Sequence, residues 1–307
     1  MLTFAELFSY IYQYFDNIGF LILASAGLIL IFGMMGVINM AHGELMMIGA
    51  YITAFTYHAG VPAPLAILLA GIGAGIFGMI LERLIICHFY NKLLSSLVVT
   101  WGLSLMISQG FLLIFGPSVL NVPTPFGGFA VGDLSFGVYR LVLFAVSLGL
   151  VAAVWALFAF TAFGAHARAT MENPEMAEAL GIETRKIYSL TFGLGAALGG
   201  VAGGMFALTA AISPFFGNEY TPLAFITVVI GGSANIISGL IASALYLAGV
   251  QTVATNVFNQ YFGYVLMMGA AFIILLMMPR GFSEYFERSK VRRLKWHELA
   301  LDRAEDA

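Results

Sequence analysis

Residues 17–51 read NIGFLILASAGLILIFGMMGVINMAHGELMMIGAY, and this stretch decides the fold class. From Asn17 to Ile38 it carries no formal charge and is long enough for the about 20 apolar residues that a membrane-spanning helix needs. Asn39, His42 and Glu44 then interrupt it before an apolar run resumes. Outward from here the pattern repeats. Residues 17–81 hold Glu44 as their one formal charge, 93–132 and 141–165 hold none, and 187–279 hold only Glu219. Of the 307 residues 61% are hydrophobic and 9% are charged, and mean hydropathy is +0.95. A soluble domain carries about 25% charged residues. Thirteen basic and 16 acidic side chains cannot cover a globule of this size in water. Soluble enzyme, nucleic-acid binder and disordered scaffold are excluded, and a net charge of −3 argues for no polyanionic partner. One cysteine, Cys87, rules out an internal disulfide and a thiolate metal cage, and the five histidines lack metal-ligand spacing.

The expected fold is an all-α integral membrane protein, a polytopic bundle of eight to nine transmembrane helices. Spans are expected near 17–38, 44–58, 63–86, 94–115, 139–163, 188–212, 221–232, 235–255 and 262–279. The second and seventh are short, so they read as re-entrant or broken helices. Residues 4–15 read as an interfacial amphipathic helix. Segments 83–92, 164–187 and 280–307 hold 12 of the 13 Lys and Arg residues, which predicts an outside N-terminus and a cytoplasmic C-terminus. The membrane domain is set at 1–282 with its cytoplasmic loop at 164–187, and a cytoplasmic tail at 283–307. Glycine pairs such as Gly195/Gly199 and Gly200/Gly204 predict close helix packing within the chain.

The loop 164–187, GAHARATMENPEMAEALGIETRKI, holds one short punctuated helix near 174–180. Asn173 is a good N-cap, Pro174 suits the first helical position, Glu175 and Glu178 suit the positive end of the helix dipole, and Gly181 suits a left-handed C-cap before Ile182. Met176, Ala177 and Leu180 cannot be buried in so small a loop and need a partner surface. The acidic face disfavours the anionic inner leaflet and favours a protein groove.

Glu175-Met176-Ala177 followed by Gly181 resembles the EAA-type motif of ABC importer permeases, although Met176 stands where alanine is usual and Thr191 where isoleucine is expected. Residues 27–51 are similar to the first motif of permeases of the branched-chain amino acid uptake family. Further matching pieces are Leu81-Glu82-Arg83, Thr100-Trp101-Gly102-Leu103-Ser104, Arg168-Ala169, the run from Val229 through Gly231 and Gly232 to Asn235, and Met278-Pro279-Arg280-Gly281. The Asn39–Glu44 and Thr100–Ser104 pieces look closest to the urea and short-amide branch. The resemblance implies a non-enzymatic permease subunit in a bacterial cytoplasmic (inner) membrane, importing branched-chain amino acids or small amides such as urea. Its implied partners are ABC ATPase subunits, a second permease, identical or homologous, an extracytoplasmic substrate-binding protein and the lipid bilayer. Residues 174–181 would be the coupling helix. No GxxxxGK[ST] loop occurs, so ATP would be used by the partners, with no cofactor in this chain.

A carboxylate such as Glu44 on a lone helix in lipid costs roughly 2.5–3.5 kcal/mol on insertion scales, so it is expected to face a cavity or a partner. Asn39, His42, Gly43 and Glu44 are candidates for the translocation path; the alternative is a hydrated cytoplasmic turn. Gly36-x-x-Asn39-x-x-x-Gly43 is echoed by Gly232-x-x-Asn235-x-x-x-Gly239, which adds Gly231, Gly232 and Asn235 as path candidates. The span count gives both segments one orientation, so either it is off by one or the echo is accidental. Loop 116–138 reads as a cap or a docking surface for a binding protein. A stand-alone channel or secondary transporter for a small polar solute is the alternative function, poorly supported by the two carboxylates.

Overall fold

A run of small residues fixes the centre of the molecule. In the computed structural model, which describes residues 4–90, 92–117, 121–232, 235–279 and 281–284, the glycine-rich helix at 184–206 is threaded between three others. The helices in chain order are α1 (Phe4–Met35), α2 (His42–His58), α3 (Ala63–Leu84), α4 (Leu93–Phe115), α5 (Val138–Phe160), α6 (Ala162–Glu172), α7 (Pro174–Ala179), α8 (Thr184–Phe206), α9 (Phe216–Gly231), α10 (Ile236–Val257) and α11 (Gln260–Met277). A single 3-10 turn, Ile86–Phe89, links α3 to α4, and an antiparallel hairpin, β1 (Gly128–Val131) and β2 (Leu134–Gly137), precedes α5. A Cβ on Gly27 would stand 2.1 Å from the Gly195 carbonyl oxygen, so α1 and α8 touch backbone to backbone. The expected close packing of the glycine run is thus met inside one chain.

Seven helices, α1, α3, α4, α5, α8, α10 and α11, are long and apolar enough to cross a membrane. With 17 and 16 residues, α2 and α9 are half-helices of about 25 Å that begin inside the bundle. Side-chain pairings along α1, α5, α8 and α10 place the hairpin and the start of α1 at one end, and α6, α7 and the start of α10 at the other.

α1 and α8 are each followed by a non-helical return, residues 36–41 and 207–215, and then by a half-helix. The half-helices start against each other, Gly43 on Gly217, and run to opposite ends. α3 packs on α8 as α10 packs on α1. This is an inverted repeat. The counterpart of the first break is therefore 207–215. The Gly232–Gly239 echo is accidental, and the equal orientation given to those two segments was right.

Several boundaries are corrected. Residues 4–15 are not a separate interfacial helix but the first turns of α1. No breaker follows them, Tyr12 Oη donates to the Gly137 carbonyl (2.7 Å), and the Phe8 and Tyr12 rings pack on Phe136 of the hairpin. The span expected to reach 163 stops at Phe160, because Thr161 caps α6 by accepting from the Gly164 amide (3.2 Å). α8 stops at Phe206 rather than 212, and residues 216–220, expected in an outer loop, are the first turns of α9. Trp101, within one of the matching pieces, is 57% exposed on α4. Most of the expected tail, from residue 285 on, lies outside the described residues.

Candidate functional site

The site begins where α1 ends. Gly36 adopts φ +58°, a conformation that costs a residue with a Cβ, and the chain turns back through residues 36–41 to start α2. A segment outside helix or sheet must satisfy its amides from elsewhere. Here α4 does so with hydroxyls spaced four residues apart, on one helix face. Ser96 Oγ accepts from the Ile38 amide (3.3 Å), Thr100 Oγ1 accepts from Met40 (3.0 Å) and donates to the Ile38 carbonyl (3.1 Å), and Ser104 Oγ donates to Glu44 Oε1 (2.9 Å). Ser108 continues the stripe by donating to the Ser104 carbonyl (2.5 Å). Asn39 Oδ1 accepts from the Ala41 amide (3.1 Å). His42 Nε2 faces the Ala24 carbonyl of α1 (3.0 Å), which requires the proton on that nitrogen.

Asn39 is 2% exposed, His42 0% and Glu44 1%, so a hydrated turn is excluded. Within the described chain Asn39 Nδ2, His42 Nδ1 and Glu44 Oε2 are buried with no hydrogen-bond partner. Each such atom costs about 1–3 kcal/mol in a fold that buries it. Gly43 seals the junction with α9: a Cβ there would lie 2.1 Å from Thr221 Oγ1 and 2.4 Å from the Gly217 carbonyl oxygen. Neither half-helix has a side-chain cap, and each carries an acid in its first turn, Glu44 and Glu219, where the helix dipole favours one.

The structure does not bring the seven path candidates together. Gly231, Gly232 and Asn235 lie at the α7 end. A Cβ on Gly239 would stand 2.4 Å from the Gly231 carbonyl oxygen, Gly232 turns the chain at φ +77°, and Asn235, exposed, caps α10 by accepting from the Ser238 amide (3.2 Å).

α7 matches its expected punctuation. Asn173 Oδ1 accepts from the Met176 amide (3.0 Å) and Pro174 is the first residue. Gly181 at φ +87° closes the helix, with its amide on the Glu178 carbonyl (2.9 Å) and the Ile182 amide on that of Ala177 (3.0 Å). Met176 and Leu180 are 59% and 74% exposed, and Glu175 is exposed too. Ala177 corrects the expectation for this helix: it is buried against the chain's own fold. Glu178 accepts from the Thr184 hydroxyl, tying α7 to the start of α8. Pro174 and Met171 share a cavity of about 410 Å³ with Gly36, Met35 and Tyr188, so α7 adjoins the end of α1.

Sequence reasoning missed three parts of this arrangement. The hydroxyl stripe of α4 was visible as a four-residue period. Gly217 gave no signal, since its role depends on a distant glycine. Glu82, quoted only as part of a motif, is buried at the end of α3 and accepts from Tyr90 Oη. Burial and that carboxylate push the Tyr90 phenol up, which keeps it a donor.

Residues 10–278 match the protein family described as branched-chain amino acid transport system, permease component. The chain is similar to the high-affinity branched-chain amino acid transport system permease protein LivH of Salmonella typhimurium, 29% identical over 276 residues that cover 84% of this chain and 89% of that protein. It is similar to BraD of Pseudomonas aeruginosa, a permease protein of the same kind of system, 29% identical over 280 residues, 84% of this chain and 90% of the other. A shorter likeness joins it to the guanosine ABC transporter permease protein NupQ of Bacillus subtilis, 28% identical over 197 residues, 58% and 60% of the two chains. No solved structure matches.

Proposed function

The chain belongs to the family of branched-chain amino acid transport permease components, and from that premise we propose that it is the membrane-embedded import subunit of an ABC transporter driven by separate ATPases. One observation carries the reading. α7 is a capped six-residue helix that, with its C-cap Leu180, presents Met176, Leu180 and Glu175 outward and buries Ala177 against its own fold. An apolar pair flanked by an acid suits a groove in a partner protein. The same end holds Arg83, Lys92, Arg168, Arg185 and Lys186, so it is taken as cytoplasmic, with the start of α1 outside a bacterial inner membrane.

ATP bound by the partners would move α7, and Pro174 would pass the motion to the Gly36 turn across their shared cavity. The path would open where α2 and α9 abut, exposing the unpartnered polar atoms of Asn39, His42 and Glu44, with Gly43 as the contact that parts. Gly231, Gly232 and Asn235 would form its inner rim. Two discrete packings biased by nucleotide are sufficient for alternating access. A second permease would complete the membrane unit, and the hairpin end would receive a solute-binding protein.

A branched-chain amino acid is the preferred solute. The pieces that suggested urea or a short amide, residues 39–44 and 100–104, hydrogen-bond to each other, a packing role that says nothing of the solute. A stand-alone channel does not fit the family. The test is co-purification of the ATPases with the Glu175→Arg, Met176→Asp double variant. Loss of the partners with an unchanged permease melting temperature is expected. Retained partners would overturn the docking claim.

A further inference from the structure

At the hairpin end, α1, α5, α10 and α11 surround an open cavity of about 550 Å³ whose chemistry is divided by depth. Its rim carries one ion pair, Asp16 of α1 with Arg140 of α5, of which the Arg140 side chain is 57% exposed and that of Asp16 only 15%. Uncharged polar groups, among them Asn17, Thr209 and Gln251, line the wall. The floor is aromatic. Phe20 stacks on Phe206 with ring centroids 4.7 Å apart, and Phe206 stacks on Tyr220 at 5.1 Å. Tyr220 lies one turn along α9 from Gly217, so the floor sits directly over the junction of the two half-helices. A neighbouring cavity of about 430 Å³ shares Phe20, Tyr220 and Tyr264 and holds the exposed carboxylate of Glu219.

Membrane-embedded charges are retained where they face a partner, a cavity or a solute. Asp16 and Arg140 join α1 to α5 and also border a polar cavity large enough for a small solute. A group with one positive and one negative end and an apolar side chain matches the charge on the rim and the rings on the floor. We propose that this vestibule is a reception site for a zwitterionic amino acid, with Arg140 taking the carboxylate, Asp16 the ammonium group, and Phe20, Phe206 and Tyr220 the apolar side chain. The site rests on the import reading above and names the solute contacts that it lacks. Beyond the floor, Glu219 offers a second anionic contact to an ammonium group on its way to the junction.

Leucine is the probe. In a Cys87→Ser background, which removes the one native cysteine, Thr209→Cys is placed on the cavity wall and Phe272→Cys on the exposed apolar face of α11. In the assembled transporter in proteoliposomes, a membrane-impermeant maleimide should label position 209. Saturating leucine should slow that labelling about tenfold, while glycerol leaves it unchanged. Position 272 should stay unlabelled. Labelling at 209 that leucine does not slow overturns the site. Arg140→Gln and Asp16→Asn should each lower leucine uptake about tenfold with the complex intact. The exchange Asp16→Arg with Arg140→Asp keeps the strut and reverses the charges. Uptake restored by that exchange would mean a strut and nothing more, and would overturn the site. If the wild-type transporter moves no leucine, the amino-acid reading itself fails, a result distinct from failure of the vestibule alone.

Discussion

The two half-helices use one backbone device in two chemical settings. α2 carries Gly43 and Glu44 in its first turn, and α9 carries Gly217 and Glu219 in its first turn. Glu44 is buried and held by Ser104, and the return before it is tied to α4 through Ser96 and Thr100. Glu219 is exposed, and among the described ion pairs and hydrogen bonds none reaches its carboxylate. The inverted repeat places the two half-helices equivalently in the bundle. The hydroxyl stripe serves one of them, so the return before α2 is pinned by side chains of α4 while the first-turn carboxylate of α9 is not held. What differs is one face of a neighbouring helix, not the half-helices themselves.

The largest effect should come from forcing the halves apart. A Cβ at Gly217 would stand 2.6 Å from the Gly43 carbonyl carbon, backbone that cannot yield. Gly217→Val should cost about 3 kcal/mol or more. A sharp fall in detergent melting temperature checks it, set against Gly102→Val, where nothing lies within 4 Å. An unchanged melting temperature for Gly217→Val would remove the junction from the fold. Next comes the lock on α2. Ser104→Ala leaves the Glu44 carboxylate buried without its donor and should cost about 1–3 kcal/mol. Combined with Glu44→Gln the loss should be smaller than the sum, a coupling read from a double-mutant cycle. Additive losses would mean that Ser104 does not hold Glu44.

A smaller effect is expected at α7. Asn173→Ala removes the cap and should cost about 1 kcal/mol locally. It should appear as faster amide exchange over residues 174–180, with no shift in global melting. Smallest of all is Glu219→Gln, which should change stability by less than about 0.5 kcal/mol. A large loss there would show that α9 is locked as α2 is, and the contrast between the halves would disappear.

Much of this was legible before folding. The charge-free windows located the long apolar helices, and Asn173, Pro174 and Gly181 gave α7 to within a residue, because caps act locally. Residues 4–15 were misread because the partner that holds them, Phe136, lies more than a hundred residues away. The break at 36–44 was flagged by its polar side chains. Whether it was hydrated or buried depended on α4, whose stripe reads as ordinary serines and threonines until it is placed beside Ile38 and Met40. Gly217 was invisible for the same reason, since a close approach is a property of two segments.

The sequence by itself determined that the chain is a helical membrane protein, which runs are long and apolar enough to cross a membrane, where the short helices are, and where the capped helix α7 stands. Those follow from transfer of apolar residues out of water and from caps satisfied within a few positions. Only the tertiary structure decided that α2 and α9 meet as inverted halves, that Glu44 is sealed while Glu219 is not, and that Asp16 and Arg140 share the rim of one cavity. Each of those depends on residues distant in the chain coming within a few ångströms. Steric contact and hydrogen bonding have that range, and a linear pattern of polarity does not record it.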